Sequence, residues 1–276
     1  MFESTLLIRL PESGADPDLR AAASSPFLQR IGPGESTLTA AGGEVRLQGM
    51  TARVSLLRVP IVDDALDEAA GACLRWSKAG DMVALHDAQI LITTRLDNPT
   101  PPPSADMSDE KLGEVRARQR MEARAEARFT HHLAAALSQQ CNAIGLYREL
   151  TRSLISADDI LHDLSIMDRE GTWPVESWCG IRLVPEQQED GSIVIGAVTT
   201  GATELAGYEA GLTPVPEEKL REGLRVLLSL ASFAISRPAG VGEGDLADPN
   251  TSEPSYTAEY HLGEDGMPDL LQITMH

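Results

Sequence analysis

DAQILITTRL, residues 87–96, is the stretch from which the fold can be read. Its isoleucines and threonines favour an extended chain, and it is apolar enough to lie at the centre of a sheet. Moving towards the N-terminus, DALDEAAGACLRWSKAG predicts a helix capped by Asp63 or Asp64 and stopped by Gly80. Its Leu66, Ala69, Ala70, Cys73, Leu74 and Ser77 share one face at helical spacing. Before it come two extended runs, EVRLQGM (44–50) and ARVSLLRV (52–59), the second ended by Pro60. Asp16 to Gln29 predicts a helix with Pro17 in its first turn, and TLLIRL (5–10) a first strand closed by Pro11. The order is β-α-β-β-α-β, the split arrangement of ferredoxin-like folds.

On the other side of 87–96, DNPTPPPSAD (97–106) is a linker stiffened by four prolines. A charged helix follows through residue 138, polar all round at first and ending in an apolar stripe of Phe129, Leu133, Ala136 and Leu137. Arg116, Arg118, Arg120, Arg124 and Arg128 alternate with Glu114, Glu122 and Glu126, the pattern of ordinary i,i+4 pairing on a solvated helix. Beyond it, CNAIGLY (141–147) predicts a strand and SADDILHDLSIMDREG a helix capped by Ser156 with Asp159 three places on. SWCGIRLVPEQ and GSIVIGAVTTG predict a hairpin, PEEKLREGLRVLLSLASFAI a long helix, and YTAEYHL and LLQITM closing strands. Residues 238–255 predict a long mobile loop. The expected class is α+β: two βαββαβ halves, residues 1–96 and 139–276, with mixed or antiparallel sheets, joined by the linker and charged helix at 97–138.

Composition narrows the function. Of 276 residues, 42% are hydrophobic, enough for a full core, while only 4% are aromatic. No apolar run approaches the roughly 20 residues that span a bilayer. Glu3 stands where a secretion signal carries a basic residue, so a cytoplasmic protein is expected. Cys73, Cys141 and Cys179 are far apart, form no CxxC pair and are expected to be reduced and buried. The net charge is −19, and residues 153–276 hold 22 of the 42 acidic but 6 of the 23 basic residues. Such a surface repels nucleic acid and anionic membrane, and favours solubility or a basic protein partner.

Candidate chemistry is sparse. IVIGAVTTGATELAGYEAGL (193–212) has glycines at 201, 207 and 211, but no lysine follows them and Glu204 and Glu209 would repel phosphate. G-x-G-x-x-G spacing is absent, so strand-to-turn geometry is expected there. In DDILHD, Asp158 and His162 stand four apart, as do Asp159 and Asp163, a spacing able to hold a divalent metal. Aspartates at a helix start also complement its dipole without metal, and no second helix offers a matching pair. His131 and His132 lie about 100° apart on a helix and cannot share an ion unaided. His86 and Asp87 would suggest nucleophilic catalysis if a nucleophile stood beside them, but no G-x-S-x-G elbow is present. Trp173 and Trp178 would anchor a partner or plug the junction between helix and sheet. No catalytic residue, cofactor or metal is assigned; the partner-binding candidates are Trp173, Trp178, Glu204, Tyr208 and Glu209.

FTHHLAAALSQQCNAIGLY (129–147) resembles the helix followed by A-x-G-(V/L)-Y of a bacterial family, domain of unknown function 4261. Trp178 to Arg182, then Thr199 to Gly201 and Leu205 to Glu209, resemble that family's Trp-containing hairpin and strand–turn. Val59-Pro60-Ile61, Trp76 and His86 to Thr93 resemble its earlier segments, so the resemblance covers roughly residues 50–235. Arg148 after Tyr147 and the charged insert at 97–128 depart from the pattern. The family carries no assigned catalytic residues and occurs near secretion and toxin loci. It implies an immunity or accessory role; with the acidic second half and the lack of a convergent catalytic set, the expectation is a non-catalytic protein-binding protein meeting a basic toxin or effector. The alternative is an enzyme or a small-ligand or metal module, with a cleft between the halves using His86, Asp87, Asp158 and His162.

Overall fold

In the computed structural model, buried residues alternate through Ala88–Leu96, and this strand is the fourth of seven in one sheet. Residues 2–13, 15–104, 106–236, 256–263 and 268–276 are described. Contacts divide the chain into Met1–Glu170 and Gly171–His276.

The first unit runs β1 (Phe2–Arg9), a 3-10 helix (Leu19–Ser24), α1 (Pro26–Ile31), β2 (Gly34–Ser36), β3 (Gly42–Leu47) and β4 (Met50–Leu57). It continues with α2 (Asp64–Ala72), α3 (Ala79–Val83), β5 (Ala88–Leu96), α4 (Asp109–Ser138), β6 (Asn142–Arg148), β7 (Ser153–Ser156) and α5 (Ala157–Glu170). The sheet order is β2-β3-β4-β5-β1-β6-β7, antiparallel throughout. Both faces are covered, because successive side chains of a strand point to opposite sides. Leu6 and Ile8 of β1 join Ile90, Ile92, Phe129, Leu133 and Leu164 in one cluster beneath α1, α4 and α5. Leu7 joins Leu66, Ala69, Val83, Ile144 and Tyr147 beneath α2 and α3.

The second unit contains a 3-10 turn (Val175–Ser177), β8 (Gly180–Gln187), β9 (Ile193–Thr200), α6 (Ala202–Ala206), β10 (Glu209–Pro216), α7 (Glu217–Ser236), β11 (Tyr256–His261) and β12 (Leu270–Met275). Its sheet order is β11-β12-β10-β9-β8, with β10 and β12 parallel and the other neighbours antiparallel. Leu224, Leu227, Ala231, Ala234 and Ile235 form the buried stripe of α7. An α+β protein with one antiparallel and one mixed sheet is therefore what the chain forms.

Its finer organisation differs from two ferredoxin-like halves. A split βαβ order places the first strand between the third and fourth, whereas here β4 pairs β5 and β1 lies between β5 and β6. The residue 96, 138 and 139 boundaries also fall inside the first unit. There β6 and β7 extend the first sheet, since Leu146 and Ile155 bury in the same cluster as Phe129. α4 is a core helix rather than a joint: Ala127 and Phe129 to Leu137 are all buried.

The expected 16–29 helix is broken because Pro26 cannot continue one, and Ser25 caps a fresh start by accepting from Phe27 N–H. The 64–80 helix is broken between α2 and α3, leaving Arg75 and Trp76 in the connection. β10, the middle strand of its sheet, gives no strand signal in sequence because Gly211, Pro214 and Pro216 look like a turn. The loop expected at 238–255 lies outside the described residues.

Candidate functional site

The DDILHD cluster is an ion-pair clamp. α5 starts where Ser156 Oγ accepts from Asp159 N–H at 3.1 Å, and this start turns Asp159 and Asp163 inward. Arg75 donates through Nη1 and Nη2 to Asp163 at 2.8 and 2.9 Å, and through Nη2 to Asp159 at 2.9 Å. The Asp163 side chain is fully buried, so the bidentate guanidinium supplies the counter-charge a metal would otherwise bring. Asp158 and His162 sit on the exposed side of the helix. The four metal candidates are thus split, and among the described residues no three His, Cys, Asp or Glu side chains are placed to share an ion.

Three other histidines, His86, His131 and His132, serve packing. His131 Nε2 lies 3.0 Å from Ile160 O, and His132 Nδ1 lies 2.7 Å from Phe27 O, so one ring ties α4 to α5 and the other ties it to α1. Burial, with Arg148 nearby, holds His131 down to about 3, and burial also lowers His132. His86 Nε2 accepts from Ile61 N–H at 2.8 Å while Nδ1 donates to Val83 O at 2.5 Å. Asp87 accepts from Leu10 N–H at 2.7 Å. Both members of that pair are held by backbone, and they do not meet Asp158 or His162. Tyr147, where the family segment ends, is buried in the apolar cluster under α2, and burial pushes its phenol up to about 12.

The glycine–threonine turn does cradle an anion, and the anion is its own. Glu209 accepts from Thr199 Oγ1 (2.6 Å), Gly201 N–H (2.9 Å), Ala202 N–H (3.2 Å), and Thr203 N–H and Oγ1 (3.1 and 2.9 Å). Gly201 adopts φ +94, a conformation suited to glycine, and this aims three successive amides at one carboxylate. Glu209, expected at a partner surface, is 8% exposed and internal.

Trp178, also expected there, is 1% exposed. It meets half-buried Trp173 edge-on at 5.7 Å, while Ser232 Oγ donates to Trp173 O at 2.6 Å. The two tryptophans plug the junction with α7. Tyr208 is 6% exposed and packs edge-on against Tyr260 at 5.8 Å. Of the five partner candidates only Glu204 stands exposed.

What the second unit does display is its β8–β9 hairpin. β8 is a sheet edge, and from Leu183 to Gln187 every residue is exposed. Leu183 and Ile193, on one face of the hairpin, are 42% and 62% exposed, and Val184, on the other face, is 44% exposed. Glu186, Glu189 and Asp190 form the tip, and hydrogen bonds from Ser192 hold the Asp190 carboxyl below its usual range. Gln188 N–H donates to Ser192 O, which fixes the alternation of paired residues along the hairpin. Counting back, the nitrogen of Pro185 faces the open edge. Proline at an edge was the signal that could have found this surface.

Comparison with family models, curated proteins and solved structures gives no match to the chain.

Proposed function

We propose that the chain is a non-catalytic, cytoplasmic protein-binding protein of the immunity or accessory kind, which engages a basic protein through its second unit. The observation that carries this is the β8–β9 hairpin, where exposed Leu183 and Ile193 on one face and Val184 on the other adjoin the acidic tip of Glu186, Glu189 and Asp190. Interfaces combine an apolar centre with a charged rim, and an anionic rim steers a cationic partner. Residues 171–276 carry 17 acidic and 5 basic side chains, so the field around that unit points the same way. The resemblance to the family found near secretion and toxin loci agrees with it. Nucleic acid and anionic membrane are disfavoured as partners by the same charge. Among the described residues, no helix is long and apolar enough to cross a membrane.

The test is co-expression with the product of the neighbouring gene. Binding that weakens at high salt, with relief of that product's toxicity, supports the proposal. Replacing Glu186, Glu189 and Asp190 together by lysine then abolishes both effects. A neighbour that neither binds nor harms cells overturns it.

A further inference from the structure

The first unit holds a cavity of about 400 Å³ where the end of α4 meets the ends of β1 and β6. That is within the range of roughly 300–1,000 Å³ typical of small-molecule sites. Ile8, Leu10 and Pro17 give it an apolar wall. Arg9, Gln139, Gln140 and Asn142 supply its polar groups, and none of these four side chains has a hydrogen bond or ion pair among the described residues. The β1–β6 ladder shifts register between Leu7 and Ile8, which bends the strand at the cavity wall. Asp87 Oδ1 accepts from Leu10 N–H and pins the backbone just beyond the bulge. Here a guanidinium and three amides line an apolar hollow.

We propose that this cavity binds a small amphipathic anion, with the apolar body against Ile8, Leu10 and Pro17 and the carboxylate or sulfonate head on Arg9. The amides of Gln139, Gln140 and Asn142 then serve as hydrogen-bonding partners at the rim. Guanidinium suits the head because it donates two parallel hydrogen bonds to a planar or tetrahedral oxyanion. This goes beyond partner binding by the second unit and stands or falls separately from it.

Cys141 also lines the cavity and reports on it. Its thiol donates to Leu137 O at 3.2 Å, and burial pushes it up to about 12, so it reacts slowly and only where a reagent can enter. Titration of the full chain with 8-anilinonaphthalene-1-sulfonate is expected to saturate at one site. Alkylation of Cys141 by N-ethylmaleimide, read by peptide mass, is expected to slow when that probe is bound, while Cys73 serves as the internal reference. Arg9→Gln is expected to weaken the probe roughly tenfold, about 1.4 kcal/mol, yet leave binding of the uncharged N-phenyl-1-naphthylamine unchanged. Gln139→Trp, at an exposed position, is expected to fill the mouth and exclude both probes. Equal sulfonate affinity in Arg9→Gln, or unaltered Cys141 alkylation with the probe present, overturns the assignment.

Discussion

Arg75, Asp159 and Asp163 settle more of this molecule than their number suggests. A buried carboxylate facing a guanidinium is strongly disfavoured once either partner is removed, because the survivor keeps a desolvated charge. Asp163→Ala is therefore expected to destabilise the first unit by about 3 kcal/mol, measured as faster hydrogen exchange in α5 and β6. His131 adds a pH dependence. Its folded value of about 3 lies below the 6.5 of an exposed imidazole, so between those values the unfolded chain binds a proton that the folded chain refuses. Stability is complete above pH 6.5 and falls as pH drops towards 3, by about 1.4 kcal/mol per unit from this ring. His131→Gln is expected to flatten that slope in denaturation curves taken between pH 7 and 5; an unchanged slope would place the proton uptake elsewhere. None of this was legible beforehand. Adjacent histidines and spaced aspartates look the same in sequence whether they face a metal, a carbonyl or an arginine 84 or 88 residues away.

At the scale of elements, two glycines act for different physical reasons. Gln48 and Gly49 connect β3 to β4 with φ of +49 and +77, a two-residue hairpin turn, and a Cβ at Gly49 meets nothing within 4 Å. Gly49→Ala is expected to cost about 1 kcal/mol from backbone conformation alone. Gly145 in β6 has no such backbone demand, but a Cβ there would lie 2.6 Å from Ile155 O and 3.0 Å from the Trp76 ring. Gly145→Ala is expected to cost about 1–3 kcal/mol by overpacking and to shift Trp76 fluorescence, which Gly49→Ala leaves alone. Periodicity located most elements well. The central β5, the capped α5, the hairpin β8–β9 and the apolar face of α7 all lie where alternation and capping residues place them. It missed where contacts between elements decide. Glu122 keeps the expected i,i+4 ion pair with Arg118 at 3.4 Å, but it also accepts from Thr100 N–H at 2.9 Å, and Glu126 accepts from Leu96 N–H at 2.5 Å, so both glutamates reach the β5 exit.

At the scale of the whole molecule, the two sheets belong to two compact units. Glu209→Ala strips five hydrogen bonds from the β9–α6 turn and leaves three amides unpaired, a loss of about 3 kcal/mol or more. Hydrogen exchange is expected to quicken in β9 and β10 while β4 and β5 keep their protection. Acceleration in both sheets would mean that the units unfold as one.

Pro185 carries a consequence of its own. A β-sheet edge left open invites identical molecules to stack strand upon strand into fibres. With no amide hydrogen at that outward position, β8 lacks one link that such a stack would require at every step, so each addition is weakened. Pro185→Val would restore the link, and the solution would be expected to turn turbid on standing.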